Sequence, residues 1–442
     1  MQHIERVVDL LDPSLNDVLN MSVEEARRRV GASDPDGVRA IQGSFALVAR
    51  DGIVVRLARS MDRPMRYFLA KRQAGPALFV ADRIDTLRQG LEAEGLAGQF
   101  HPSYTRMVPA HHVVELQLVG CPDPDPTYTR FFTPSRASLP PDLDEIGRQY
   151  IGALADEIAG WLERVDARSG GRAPIGVCFS GGIDSGAVFL TTYHVMHRMG
   201  LPLTRLKAFV LTLGAGPDVQ QAREFLTSLD LSLFLEEIEA SPDDLDPGSV
   251  LPVVEDYKPL DVQSAAMSLL LCRGIRQRYP DWTYLVDGEG GDENLKDYPI
   301  EANPELTIRS VVDNLMLYQE GWGVGRIKHS LTYSGGLSRS YVRSYAPMRH
   351  YGFSGLSPFT RPSVMGVAEA IPFATLTNYD VPALYALKGE VVGRGIRQVT
   401  GFEMPTYPKR RFQHGAVPEQ TLHARVGDSE PEFRRRFHAL YA

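Results

Sequence analysis

Ser180 to Ser185 read SGGIDS, set between the apolar run IGVCF and the longer run GAVFLTTYHVMHRMG. Two glycines, two hydroxyls and a carboxylate in that frame suit a strand-to-helix turn that receives phosphate. The first backbone N–H groups of a helix lack partners within it, and the helix dipole favours negative charge at that end. Gly181 and Gly182 permit a tight bend and close approach of ligand oxygens. Ser180 and Ser185 add donors. Asp184 repels bare phosphate but becomes useful when a magnesium ion stands between carboxylate and phosphates. From residue types alone, a phosphate cradle and a plain polar turn both stay open. The stretch has neither the Gly-Lys-Ser/Thr ending of a Walker loop nor the glycine spacing of a dinucleotide fingerprint.

A second glycine-rich stretch, DGEGGDE, runs from Asp287 to Glu293 directly after TYLV, so it too belongs at a strand end. Carboxylates on adjacent strand ends can jointly hold a cation that neither holds tightly alone. Near the end of the chain, PKRRFQHG carries Lys409, Phe412 and Gly415. By itself this reads first as a solvated basic run, because Arg410 and Arg411 adjoin the lysine.

These motifs need elements to hold them. IGVCF, LKAFVLTL, LSLFLEEI and TYLVDG are short apolar runs separated by helix-like stretches, notably VQQAREFLTSL and SAAMSLLLCRGIRQRY. That alternation predicts a parallel sheet covered by helices on both faces. Earlier, SFALVAR, IVVRLAR, ALFVAD and HVVELQLVG alternate and are parted by turn residues, which predicts a β-rich, largely antiparallel domain. Clustered Pro and Ser in TPSRASLPPDLDE interrupt both periods and mark a boundary. The expected division is residues 1–145 and 146–442, with a helix carrying Leu154, Ile158, Trp161, Leu162 and Val165 opening the second part. A later, mostly helical segment spans about 305 to 385.

SGGIDS resembles the pyrophosphatase loop of asparagine synthetase-like and other N-type ATP pyrophosphatase proteins, and DGEGGDE resembles the GEGADE segment of asparagine synthetases. PKRRFQHG resembles their K-x-x-F-x-x-G segment. The resemblance implies a doubly wound α/β ATP pyrophosphatase domain with a helical C-terminal elaboration, and ATP and Mg2+ as cofactors. ATP would sit over Ser180, Gly181, Gly182, Asp184 and Ser185, beside Val210, Leu211, Gly288 and Gly290. Asp184 and Asp292 would hold the metal, Glu289 would accept a proton from an attacking amine, and Lys409 would offset growing negative charge. SPFTRPSVMGVAEAIP is similar to the family's Pro-Phe-Leu-Asp segment, with Thr360 and Arg361 in place of leucine and aspartate, which implies an altered carboxylate pocket.

Residues from GSFALVARDGIVVRLARSMDRPMRYFLA onward resemble class II glutamine amidotransferase domains, which implies an Ntn-hydrolase-like sandwich for the first part. Active members use an N-terminal cysteine, whereas this sequence begins Met1, Gln2, His3, and its first cysteine is Cys121. The expectation is a degenerate domain without glutaminase activity, because loss of the nucleophile removes covalent catalysis. The implied activity is an AMP-forming amide ligase acting on a small-molecule or peptide carboxylic acid, with free ammonia or an amine as second substrate, in specialised metabolite or antibiotic biosynthesis. Beta-lactam or macrolactam ring closure and an inactive nucleotide-binding scaffold are the alternatives. Glu289 leans away from ring closure, since beta-lactam synthetases carry a tyrosine there.

Bulk properties are compatible with this reading. The 442 residues suffice for two domains, and a formal net charge of -8 gives no reason to expect a nucleic-acid partner. Cys121, Cys178 and Cys272 are widely separated and suggest neither a disulfide scaffold nor a zinc site. His194 and His197, without nearby cysteine or acidic ligands, suggest a solvated or interface face of a helix. No signal peptide and no membrane span are read, so a cytoplasmic protein is expected, with a homodimer as a further partnership.

Overall fold

The structure is a computed structural model that describes residues 6–72, 76–117, 125–214, 216–297, 300–302, 306–313, 341–407, 417 and 419–442. These residues divide into two compact units. One holds the residues up to Thr133 together with Phe437–Ala442, and the other begins at Pro134 and ends at Arg436.

In the first unit, alternating sequence becomes two four-stranded sheets. Ala46–Asp51 pairs antiparallel with Val54–Arg59, which pairs antiparallel with His112–Gln117 and through it with Thr127–Arg130. In the other sheet Arg66–Ala70 lies antiparallel to Ala77–Ala81, whose far edge takes Arg6–Asp9 in parallel. Leu57, Tyr67, Leu78, Val80, Val114 and Leu116 share one buried cluster, so the inward half of each alternation forms the core. The segment SMDRP turns inward as well. Arg59 is fully buried and donates to the carbonyls of Val108, Met61 and Arg63. Asp62 accepts from Ser44 Oγ and Ser60 Oγ, each at 2.7 Å, and pairs with Arg63 at 2.9 Å. These buried polar side chains are hydrogen-bonded, as buried polar groups must be.

The second unit is built on a five-stranded sheet of β1 (Ile175–Cys178), β2 (Leu206–Thr212), β3 (Leu235–Glu239), β4 (Tyr284–Val286) and β5 (Ser354–Leu356). All four pairings are parallel, and the order is β3-β2-β1-β4-β5. The four runs read as strands from sequence are the first four of this sheet, and the mixed α/β character is as expected. The strand order reverses between β1 and β4. In open parallel sheets, ligands bind beyond the carboxyl ends of the strands at such a switch point.

Six helices of this unit matter to the site: α1 (Leu143–Ser169), α2 (Ile183–Arg198), α3 (Pro217–Thr227), α4 (Pro259–Arg278), α5 (Gly291–Asn294) and α6 (Val381–Thr400). Asp142 caps α1 by accepting from Asp144 and Glu145 N–H, and Gly170, at φ 64°, ends it. Asp380 caps α6 through Ala383 N–H, with Pro382 in the first turn. The two long helices cross where neither has a side chain. A Cβ on Gly147 would lie 2.6 Å from the Val391 carbonyl oxygen, and one on Gly395 would lie 2.3 Å from that of Gly147. Gly395→Val therefore forces the helices apart, with an expected loss of about 2 kcal/mol. Chemical denaturation of the variant against the parent chain measures it.

Among the described residues, no helix is long and apolar enough to cross a membrane.

Candidate functional site

SGGIDS leaves β1 and enters α2, the strand-to-helix turn expected from the sequence. Gly181 has φ 73°, and a Cβ there would come within 2.9 Å of the Ala222 backbone nitrogen on α3. Both conformation and space therefore require glycine. Ser180 N–H donates to Ser185 Oγ at 3.1 Å, and Gly182 N–H donates to Ser180 Oγ at 3.3 Å. Gly182 caps α2 without a side-chain hydrogen bond, so this helix of 16 residues opens with no capping side chain.

DGEGGDE leaves β4, the neighbour of β1 across the switch point, and enters α5. The two loops are fitted to each other by missing side chains. A Cβ on Gly288 would stand 2.9 Å from Ser185 N, and one on Gly291 would stand 2.2 Å from Asp184 Oδ1. Gly290 adopts φ 99° as the helix cap. Behind them, Asn294 donates to the Phe359 carbonyl at 2.9 Å and to Tyr150 Oη at 3.2 Å, tying α5 to α1 and to the PFTRP turn.

The carboxylates of the two loops meet at one cation that sequence reading missed. Lys388 on α6 donates to Asp184 Oδ2 at 2.7 Å and to Asp292 Oδ1, and Asp297 Oδ2 lies 3.5 Å away. The lysine is only 3% exposed. Burial opposes its charge, but Asp184, Asp292 and Asp297 outweigh that and hold its pKa well above the ordinary lysine value. A signal was present in the sequence. Lys388, Val391 and Gly395 fall at i, i+3 and i+7, so the lysine occupies the helix stripe that faces α1.

Glu289 is held differently. Its N–H donates to Asp287 Oδ1 at 3.0 Å, while Asp287 Oδ2 accepts from Ser344 Oγ at 2.6 Å and Ser357 Oγ at 2.9 Å. Burial pushes the Glu289 carboxyl up to about 8; Arg343 pulls it down, and Asp287, Glu293 and Asp292 add to the rise. Such a carboxyl is poised to exchange protons near neutrality.

The remaining expected residues divide three ways. Val210 and Leu211 are buried in β2, each 2% exposed, and the register with β1 runs only to Phe209. Thr360 and Arg361 are buried, with Thr360 Oγ1 closing its own turn on the Ser357 carbonyl at 2.7 Å. On α2, His197 is exposed and His194 half-buried. Lys409, Phe412 and Gly415 lie outside the described residues, as does Cys121.

The residues present fit the groups expected of them. Asp184 and Asp292 already share one cation partner, so they stand close enough to hold a divalent ion between them. Among the described residues no group of three His, Cys, Asp or Glu side chains is arranged for a metal. A magnesium ion here would take its other ligands from phosphate and water. The turn at Gly181 and Gly182, under the start of α2, fits phosphate.

Lys388→Met leaves Asp184, Asp292 and Asp297 facing one another. Because Asp292 is 37% exposed, the expected loss is discounted to about 2 kcal/mol. Thermal melts with and without MgCl2 check this, and added magnesium is expected to stabilise the variant more than the parent chain.

Comparison with known proteins bears on the same part of the chain. Residues 162–354 match the family described as asparagine synthase, less than half of the sequence. No curated protein matches the chain. The matched stretch begins within α1, ends in β5, and includes both loops and the strands that carry them. Members of that family are ATP-dependent ligases that release AMP and pyrophosphate, so the match supports ligase chemistry with ATP for this segment.

Proposed function

We propose that the chain is an ATP-dependent, AMP-forming amide ligase. It joins a carboxylic acid to ammonia or an amine in specialised metabolism, without glutaminase activity of its own. The observation that carries this reading is the meeting of Asp184 and Asp292, from loops on adjacent strand ends, at the single buried charge of Lys388.

In this reading the start of α2 and the Gly181–Gly182 turn receive the phosphates of ATP, with Ser180 and Ser185 as hydroxyl donors. Asp184 and Asp292 would hold a magnesium ion, which would supply positive charge against the phosphates. Lys388 stands where a negatively charged pyrophosphate leaving group needs a fixed cation. A substrate carboxylate attacks the α-phosphate, the bond to the β-phosphate breaks, and an acyl-adenylate and pyrophosphate result. The amine nitrogen then bonds to the acyl carbon, and the C–O bond to AMP breaks with its electron pair leaving on AMP. The proton lost by nitrogen passes to Glu289, whose carboxylate accepts no hydrogen bond among the described residues. Val210 and Leu211 flank the nucleotide through the backbone of β2, and Lys409 offsets charge in the second step. The buried, hydrogen-bonded Arg59, Asp62 and Arg63 support a structural first unit.

Acid-dependent exchange of labelled pyrophosphate into ATP, run across amino acids, small carboxylic acids and peptides, tests the reading. Exchange with at least one acid is expected, and its loss in Asp184→Asn is expected to exceed about a hundredfold. No exchange with any acid favours a nucleotide-binding scaffold.

Glu289 sets a separate expectation. A proton acceptor must be ionised, so amide formation with ammonia should rise with pH to a midpoint near 8. Glu289→Gln should lose that limb and about 10²–10⁴-fold in rate while keeping pyrophosphate exchange. The folding effect runs the other way. With its folded pKa raised from 4.5, Glu289 favours the folded state most below about 4.5, and that contribution fades as pH rises through about 8. Glu289→Gln should therefore gain stability over the parent chain as pH rises through this window, measured by denaturant melts at several pH values.

A further inference from the structure

The charged and titratable groups acting on Glu289 come from its own loop and from three further elements. Asp287, Asp292 and Glu293 belong to its own loop and α5, Cys178 belongs to β1, and Arg343 comes from the short helix Tyr341–Tyr345. The acidic groups oppose ionisation of Glu289, and Arg343 is the cation that counters them.

Arg343 is fixed by hydrogen bonds. Its Nε donates to Asp261 Oδ1 on α4 at 2.9 Å, and the two side chains are 14% and 6% exposed. The next residue, Ser344, donates to Asp287 Oδ2 at 2.6 Å, and the other oxygen of Asp287 accepts the Glu289 N–H at 3.0 Å. One short helix therefore bonds, through Ser344, the Asp287 carboxylate that holds the Glu289 backbone, and sets a guanidinium with the preceding residue, Arg343. Among the described residues, Arg343 Nη2 is buried without a hydrogen-bond partner. Folding alone does not reward a buried donor left unsatisfied, so this placement calls for another reason. A guanidinium stays charged where a buried lysine can lose its proton, which suits a fixed counter-charge.

We propose that Arg343 is a positioning residue for the amide-forming step: anchored on Asp261, it sets a positive charge against Glu289 so that this carboxylate ionises and takes the proton of the incoming amine. The step itself rests on the ligase reading. The arrangement of Arg343, Asp261, Ser344 and Asp287 about Glu289 does not. Neither SGGIDS nor DGEGGDE contains Arg343, and it lies beyond most of the sequence that separates β4 from β5.

The test needs no substrate. In protein carrying ¹³C-carboxyl glutamate, the Glu289 resonance is assigned by its loss in Glu289→Gln and titrated in the parent chain, Arg343→Gln and Arg343→Lys. The parent midpoint is expected near 8. Arg343→Gln should move it upward by about one pH unit or more, and Arg343→Lys should keep it close to the parent value. If Arg343→Gln fails to fold, Arg343→Met, which retains the packing of the stem, carries the same expectation. An unchanged midpoint in the neutral variant, or an equal rise in Arg343→Lys, overturns the inference. Pyrophosphate exchange reports separately on the ligase reading, so either can fail while the other stands.

Discussion

One buried ammonium group holds the site together. Lys388 donates to two carboxylates from different loops and approaches a third, and the three come from the start of α2, from α5 and from the turn after it. Carboxylates crowded at the end of a sheet repel one another unless a cation intervenes. Placing that cation on α6 couples the far end of the second unit to the two loops, because the stripe that carries Lys388 also carries Gly395 against α1. Helix crossing and charge balance are thereby one constraint.

The glycines follow from the same constraint. Asp184 reaches Lys388 only because its carboxylate sits over Gly291, where any side chain would intrude, and Gly288 lets the second loop lie against the backbone of Ser185. In isolation SGGIDS is a polar turn that could bind phosphate or do nothing. Seated against DGEGGDE, it becomes half of a cation-holding pair at the point where the strand order reverses.

How far the sequence discloses this depends on the range of the interaction. β1 to β4 were legible because short runs rich in apolar residues and bounded by turn residues have few other readings, and both loops were legible because glycines cluster where backbones must touch. β5 was not, since Ser354–Leu356 is three residues between an aromatic and a Ser-Pro turn and has no period to read. Lys388 was missed because a lone lysine in an apolar helix reads by default as a residue whose head reaches water. Its burial is a property of the α1–α6 crossing, not of its neighbours in sequence. Arg343 has no sequence mark at all, because its partners Asp261 and Glu289 lie 82 and 54 positions away.

In the proposed reaction, Asp184, Asp292 and Lys388 form the acid-activating end of the second unit and Glu289 its amine side, with the DGEGGDE loop contributing to both. Diffraction from crystals grown with Mn2+ and a non-hydrolysable ATP analogue tests that claim most directly. The expected result is an anomalous peak between Asp184 and Asp292 with the triphosphate over Gly181 to Ser185. A nucleotide bound elsewhere, or a metal peak that excludes either aspartate, would contradict it.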